Sequence, residues 1–158
     1  MATALGYRVI TSADVALVAA TAKTVLSVKS PAGHGLTIVN FHVSFDGVAS
    51  ANVPALVEIL QSTAAAGTYT AATVTQIRGR ATAGTAPTGG QNASAEPTVL
   101  TLAAAYKVPV FNGLYTEQEA LGREFEIDSS AGTIKELVIR VTAANVVNVR
   151  AWFECENL

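Results

Sequence analysis

The chain has 158 residues, a length at which folding buries roughly 68–70% of the unfolded surface, so one domain can build a core without its lone cysteine, Cys155, which excludes an internal disulfide. Only 14% of the residues are charged and the net charge is −2, against about 25% charged residues in an average soluble domain. The ten Lys and Arg are scattered, which excludes the basic stripe that nucleic acid requires, and although mean hydropathy is +0.38, no apolar run approaches the ~20 residues of a membrane-spanning helix.

Met1 to Leu5 runs straight into Gly6, Tyr7 and Arg8, without the charged start and apolar stretch of a secretory signal. The chain is therefore expected to fold in a cytosol, with residues 1–12 as an N-terminal arm. A first strand is predicted at Tyr7 to Ile10, a short helix at Ser12 to Ala20 with Ser12 as its cap, and a strand at Lys23 to Lys29. The clearest period follows at Ile38 to Asp46: Val39, Phe41, Val43 and Phe45 alternate with Asn40, His42 and Ser44, the mark of a half-buried strand. It ends at the turn dipeptide Asp46-Gly47, and Val53 to Gln61 reads as the next strand, with Ala55, Val57 and Ile59 on one face and Glu58 on the other.

A weaker strand is predicted at Thr73 to Arg78, before the low-complexity stretch 80–95, whose Gly84, Pro87, Gly89 and Gly90 read as a flexible or interface loop. Further strands are expected at Val99 to Leu102, at Val108 to Phe111, where Pro109 restricts the piece to an edge or a bulge, and at Arg123 to Ile127, with a second short helix at Thr116 to Leu121. Glu136 to Thr142 and Val147 to Glu156 close the series; the hairpin-length link Ala143 to Asn145 suggests that they pair, with Leu137, Ile139 and Val141 sharing the core face of the last strand. Dense Gly, Pro, Asn and Asp punctuation makes the expected fold an all-β domain spanning 1–158: a two-sheet antiparallel β-sandwich, jelly-roll-like, of about eight or nine strands with one or two short helices.

Chemistry is sparse. His34 and His42 lack the further ligands a metal site needs, no Gly-x-Ser-x-Gly elbow occurs, and Gly84 to Gly90 lacks the Lys-Ser/Thr ending of a phosphate loop. Glu117, Glu119, Glu124, Glu126 and Asp128 have the spacing of a solvated strand face and turn rather than of a paired acid and base. Tyr69, Tyr106, Tyr115 and Trp152 are too dispersed along the chain to suggest a stacking platform. The expectation is no enzyme, no metal, no cofactor and no small-molecule substrate. Trp152, on the outward face of the last strand, suits an interface.

A series of local patterns adds a family. Ala22-Lys23-Thr24-Val25-Leu26 leading to Ser30-Pro31, Val43-Ser44-Phe45-Asp46-Gly47, Pro54 to Glu58, Ala65-Ala66-Gly67-Thr68, Ala95-Glu96-Pro97-Thr98, Leu121-Gly122-Arg123-Glu124 and Asn148-Val149-Arg150-Ala151 follow one another across most of the chain. In that order they resemble the head decoration (cement) or minor structural proteins of tailed bacteriophages. The resemblance implies a virion protein on the outer surface of the capsid, made in the host bacterial cytoplasm, that binds the major capsid protein as a homotrimer and reinforces the shell. The alternative is a phage tail or adhesin-type module that binds host-surface carbohydrate. For the capsid reading, the contact residues are expected in the N-terminal stretch and the Gly-rich loop, at Leu5, Tyr7, Gly84, Pro87 and Gly90, together with Trp152.

Overall fold

A computed structural model describes residues 5–46, 53–79, 85–110, 113–120, 122–128 and 136–157. These residues form thirteen strands and no helix: β1 (Gly6–Ile10), β2 (Val15–Ala16), β3 (Lys23–Lys29), β4 (Leu36–Asp46), β5 (Ala55–Ser62), β6 (Thr68–Ala71), β7 (Thr73–Arg78), β8 (Thr88–Ala95), β9 (Leu100–Val108), β10 (Gly113–Gln118), β11 (Phe125–Ile127), β12 (Glu136–Thr142) and β13 (Asn148–Asn157). They make a two-sheet antiparallel sandwich. The first sheet runs β10-β4-β13-β1-β7, with β11 added to β4 and β2 to β13; the second runs β6-β8-β3-β12-β5-β9.

Period-2 apolar positions explain the core. Val43, Phe45, Val149, Ala151, Phe153 and Cys155 of the first sheet meet Ala55, Val57, Ile59, Leu137, Ile139 and Val141 of the second, all buried. Cys155 behaves as the small buried hydrophobe that its place in the pattern implies. Two of the register shifts adjust the pattern in the core. Opposite Glu154 and Cys155 the register steps from Asn40 to Ile38, so Ile38 rather than Val39 enters the core, and the skipped Val39 is half-exposed. On β3 a similar step opposite Ile139 and Arg140 lets the consecutive Val25 and Leu26 both point inward.

Several sequence expectations are corrected. Both helices are absent. Val15 and Leu17 are buried while Ala16 and Val18 are exposed, a period of two, and Ser12 is no cap: its N–H donates to Gln91 Oε1 at 2.7 Å. Thr116 lies in β10 opposite His42; Leu121 falls outside the described residues. The final hairpin is also absent. β12 lies between β3 and β5, whereas β13 lies between β4 and β1, so the short link carries the chain from one sheet to the other. Thr88–Ala95, read as loop, is strand β8; the strand expected at Val99 to Leu102 continues to Val108 as β9, an edge strand that stops just before Pro109, while Pro109 and Val110 of the strand expected at Val108 to Phe111 lie in no strand and Phe111 falls outside the described residues. Eight or nine strands is an underestimate because β2 and β6 are too short to leave a pattern, while β8 reads as loop and β10 in part as a helix.

The sandwich closes differently along its two sides. On one, a nearly continuous run changes sheets at Ala72, from β6 in the second to β7 in the first. There β8 comes so close that a Cβ on Gly89 would lie 2.5 Å from Val9 Cγ1 and 3.1 Å from Ala72 Cβ. On the other side β9 and β10 are edges of opposite sheets, and Phe41, Tyr106 and Tyr115 fill the gap with ring centroids 5.2 to 6.3 Å apart.

Gly89→Ala should therefore destabilise the domain by about 1–3 kcal/mol through overpacking, read from the midpoint of urea unfolding at unchanged slope. Val99, whose φ of +53° is a left-handed conformation that β-branched residues avoid, is 65% exposed and loses little packing on replacement. Val99→Asn is expected to raise stability by about 1 kcal/mol; a lower midpoint would count against strain at this turn.

Candidate functional site

The outer face of the first sheet carries the most organised set of polar side chains. Strand alternation and register place Ile10, Trp152, His42 and Thr116 side by side across β1, β13, β4 and β10, with Arg8, Glu154, Asn40 and Gln118 as the next row. The second row is joined to the first by hydrogen bonds. Arg8 Nε donates to Glu154 Oε1 at 3.0 Å and Asn40 Nδ2 to Glu154 Oε2 at 2.8 Å. Asn40 Oδ1 is then an acceptor, so His42 Nε2 donates to it at 3.0 Å, while Nδ1 accepts from the Thr116 hydroxyl at 2.7 Å. One neutral tautomer of His42 satisfies every contact.

Electrostatics agree with that tautomer. Burial lowers the His42 pKa from its ordinary value, and Arg8 adds to the effect against the opposing pull of Glu154. For Glu154, burial would raise the carboxyl, but the hydrogen bonds from Arg8 and Asn40 and the charge of Arg8 outweigh it and hold it below the usual range. The His42 ring stacks on Trp152 with centroids 4.3 Å apart and planes within 15°. Trp152 Nε1 is buried without a hydrogen-bond partner among the described residues. Around this stack the charges are already matched in pairs: Arg8 with Glu154, Arg78 with Glu156 and Arg150 with Asp14.

A second cluster lies on the outer face of the other sheet. Glu136, at the start of β12, is fully buried. Its Oε1 accepts from Tyr69 OH at 3.1 Å and Gly67 N at 3.2 Å, its Oε2 from Ser27 Oγ at 2.7 Å, and Lys29 Nζ is 3.8 Å away. The Tyr69 ring runs from above Gly90, where a Cβ would come within 2.7 Å of its Cβ and Cγ, to Gly67, where a Cβ would come within 2.5 Å of its hydroxyl end. Burial first, then the charge of Glu136, raises the Tyr69 hydroxyl pKa. The ring lines a cavity of about 410 Å³ together with Ser27, Lys29, Thr68, Thr70 and Thr88.

Of the contact residues expected from sequence, Trp152 is half-buried on the outer face. Leu5 packs partly buried against the core. Tyr7 is 3% exposed with its hydroxyl 2.9 Å from Thr85 Oγ1, and Pro87 and Gly90 are buried; Gly84 lies outside the described residues. The expected dispersal of the aromatics is corrected for one pair: Tyr106 and Tyr115 come together across the open side, each donating its hydroxyl to a carboxylate, Glu119 and Glu117. Burial and these carboxylates push both tyrosines up to about 12. Among the described residues, no three His, Cys, Asp or Glu side chains gather as a metal set would. The Tyr69–Glu136 cluster left no sequence signal, since its members are 67 residues apart.

Because the folded His42 pKa is lowered from 6.5, the unfolded chain takes up its proton first as pH falls. The stability from this group is complete above about pH 6.5 and is lost below it. Trp152→Ala should expose the ring and move the His42 titration toward 6.5, followed by NMR of the imidazole; a titration left unchanged would separate the shift from the stack. Comparison of the chain with protein-family models, with curated proteins and with solved structures gives no match in any of the three.

Proposed function

We propose that the chain is a structural subunit of a tailed-bacteriophage virion that decorates the outside of the capsid and stabilises it by binding across major capsid subunits, three copies acting together. Its chemistry is adhesion. A subunit that binds the assembled shell and not its dissociated parts shifts the equilibrium toward the shell by mass action.

The observation that carries this reading is the outer face of the first sheet. A hydrogen-bonded network holds a tryptophan against a histidine at its centre, and the arginines on and around the face are already matched to carboxylates. Covering the centre of such a face desolvates few lone charges, and a rigid tryptophan is a common anchor of protein interfaces. Exposed Ile77 and Leu114, at 49% and 52%, extend the apolar area on the flanking strands. The order of local patterns shared with decoration proteins supports the same reading, as does the poverty of charge.

The test is a titration of purified protein onto expanded, undecorated capsids of the phage that encodes it, followed by cosedimentation and by the temperature at which the shells open. Saturable binding that raises the opening temperature is expected. Trp152→Ala should weaken binding by about 30-fold, the effect of losing an interface anchor worth about 2 kcal/mol. Failure of the parent protein to bind at any concentration overturns the proposal.

A further inference from the structure

From the cavity beside Tyr69 we infer a second binding site, one for an uncharged sugar, on the sheet opposite the Trp152 face. The site does not depend on the capsid reading, and it rests on geometry of its own.

The aromatic ring is fixed at both ends. Its base lies over Gly90 and its hydroxyl end lies beside Gly67, two positions where a Cβ would come within 2.7 Å of it. Its hydroxyl donates to a carboxylate that is itself fully buried. Burying a carboxylate is unfavourable until its partners compensate. Here Ser27, Gly67, Tyr69 and Lys29 supply those partners, and the same contacts set the pose of the ring. What the arrangement presents is a rigid ring, with Thr88 and the Lys29 ammonium on the same face of the sheet, beside a space of about 410 Å³, within the range of small-ligand pockets.

The lining selects the ligand class. A sugar offers an apolar C–H face and a rim of hydroxyls, which match an aromatic ring beside an amine with three donors and the Thr88 side chain. Phosphate or carboxylate ligands are disfavoured, because the one cation, Lys29, already faces Glu136 at 3.8 Å. Nucleic acid is disfavoured on the same ground, since its affinity comes from several unpaired cations.

The experiment is an NMR titration of the full chain, labelled with nitrogen-15, with methyl glycosides of glucose, galactose, mannose and N-acetylglucosamine up to high millimolar concentration. At least one glycoside is expected to shift the amides of Gly67, Tyr69, Gly89 and Gly90 with a millimolar Kd, leaving the Trp152 indole signal in place. Tyr69→Phe keeps the ring and should retain binding within a fewfold. Tyr69→Ala should weaken binding about tenfold or more. Should Tyr69→Ala fail to fold, Thr88→Trp, at an exposed position, fills the space and should abolish binding in a folded protein. No shift with any of the four glycosides, or shifts that survive Thr88→Trp, overturns the inference. Capsid binding by Thr88→Trp, measured separately, is expected to be unchanged, so failure of one site does not disguise failure of the other.

Discussion

Val9 of the first sheet reaches the main chain of the second at Gly89, where a Cβ would stand 2.5 Å from its Cγ1. The missing side chain lets the two sheets approach at one side closely enough for a single run, from Thr68 to Arg78, to serve both of them with only Ala72 between. Much of the molecule's arrangement follows from this corner. It joins the ladders at β7 and β8, it fixes where β6 lies against β8, and so it decides where Tyr69 falls. The neighbouring Gly90 points the other way and accepts the Tyr69 ring. Two adjacent glycines thus admit close neighbours on both faces of one strand.

That pair also explains the largest misreading of the sequence. Glycine and threonine with little apolar content mark a loop when strands are recognised by their side chains, yet Thr88–Ala95 is paired to β3 and β6. Long alternating segments were legible because burial on one face imposes their period: β4, β5, β12 and β13 lie close to where the pattern put them. Partnership was not legible. A short link between two alternating strands suits a hairpin and a crossing between sheets equally well, and Ala143 to Val147 makes the crossing. The phase of β4 was misread at Val39 for a related reason, as a bulge shifts the alternation without changing composition. Of the candidate sites, the Trp152 face could be foreseen from alternation alone. The Tyr69 cluster could not, because it gathers residues from β3, β6, β12 and the turn before β6.

The two outer faces handle charge in different ways. On the first sheet, ion pairs lie at the surface with side chains 21% to 51% exposed, where each adds little to stability but leaves few unmatched charges. On the second, one carboxylate is taken fully out of water and given four partners, an arrangement that specifies geometry more than it adds stability. A broad, neutral, aromatic-centred surface suits a flat macromolecular neighbour; a small, tightly braced cavity suits a small ligand.

β1 is bonded along its length to β13, with Tyr7 opposite Cys155 and Arg8 opposite Glu154. Between them in sequence lies every other described strand, so the centre of the first sheet cannot form until β13 has left the ribosome. Pairings of such long range make for slow folding. While it waits, the emerging chain exposes Val9, Phe41 and Val43 with no partner strand between β1 and β4, and chaperones have a natural role in that interval.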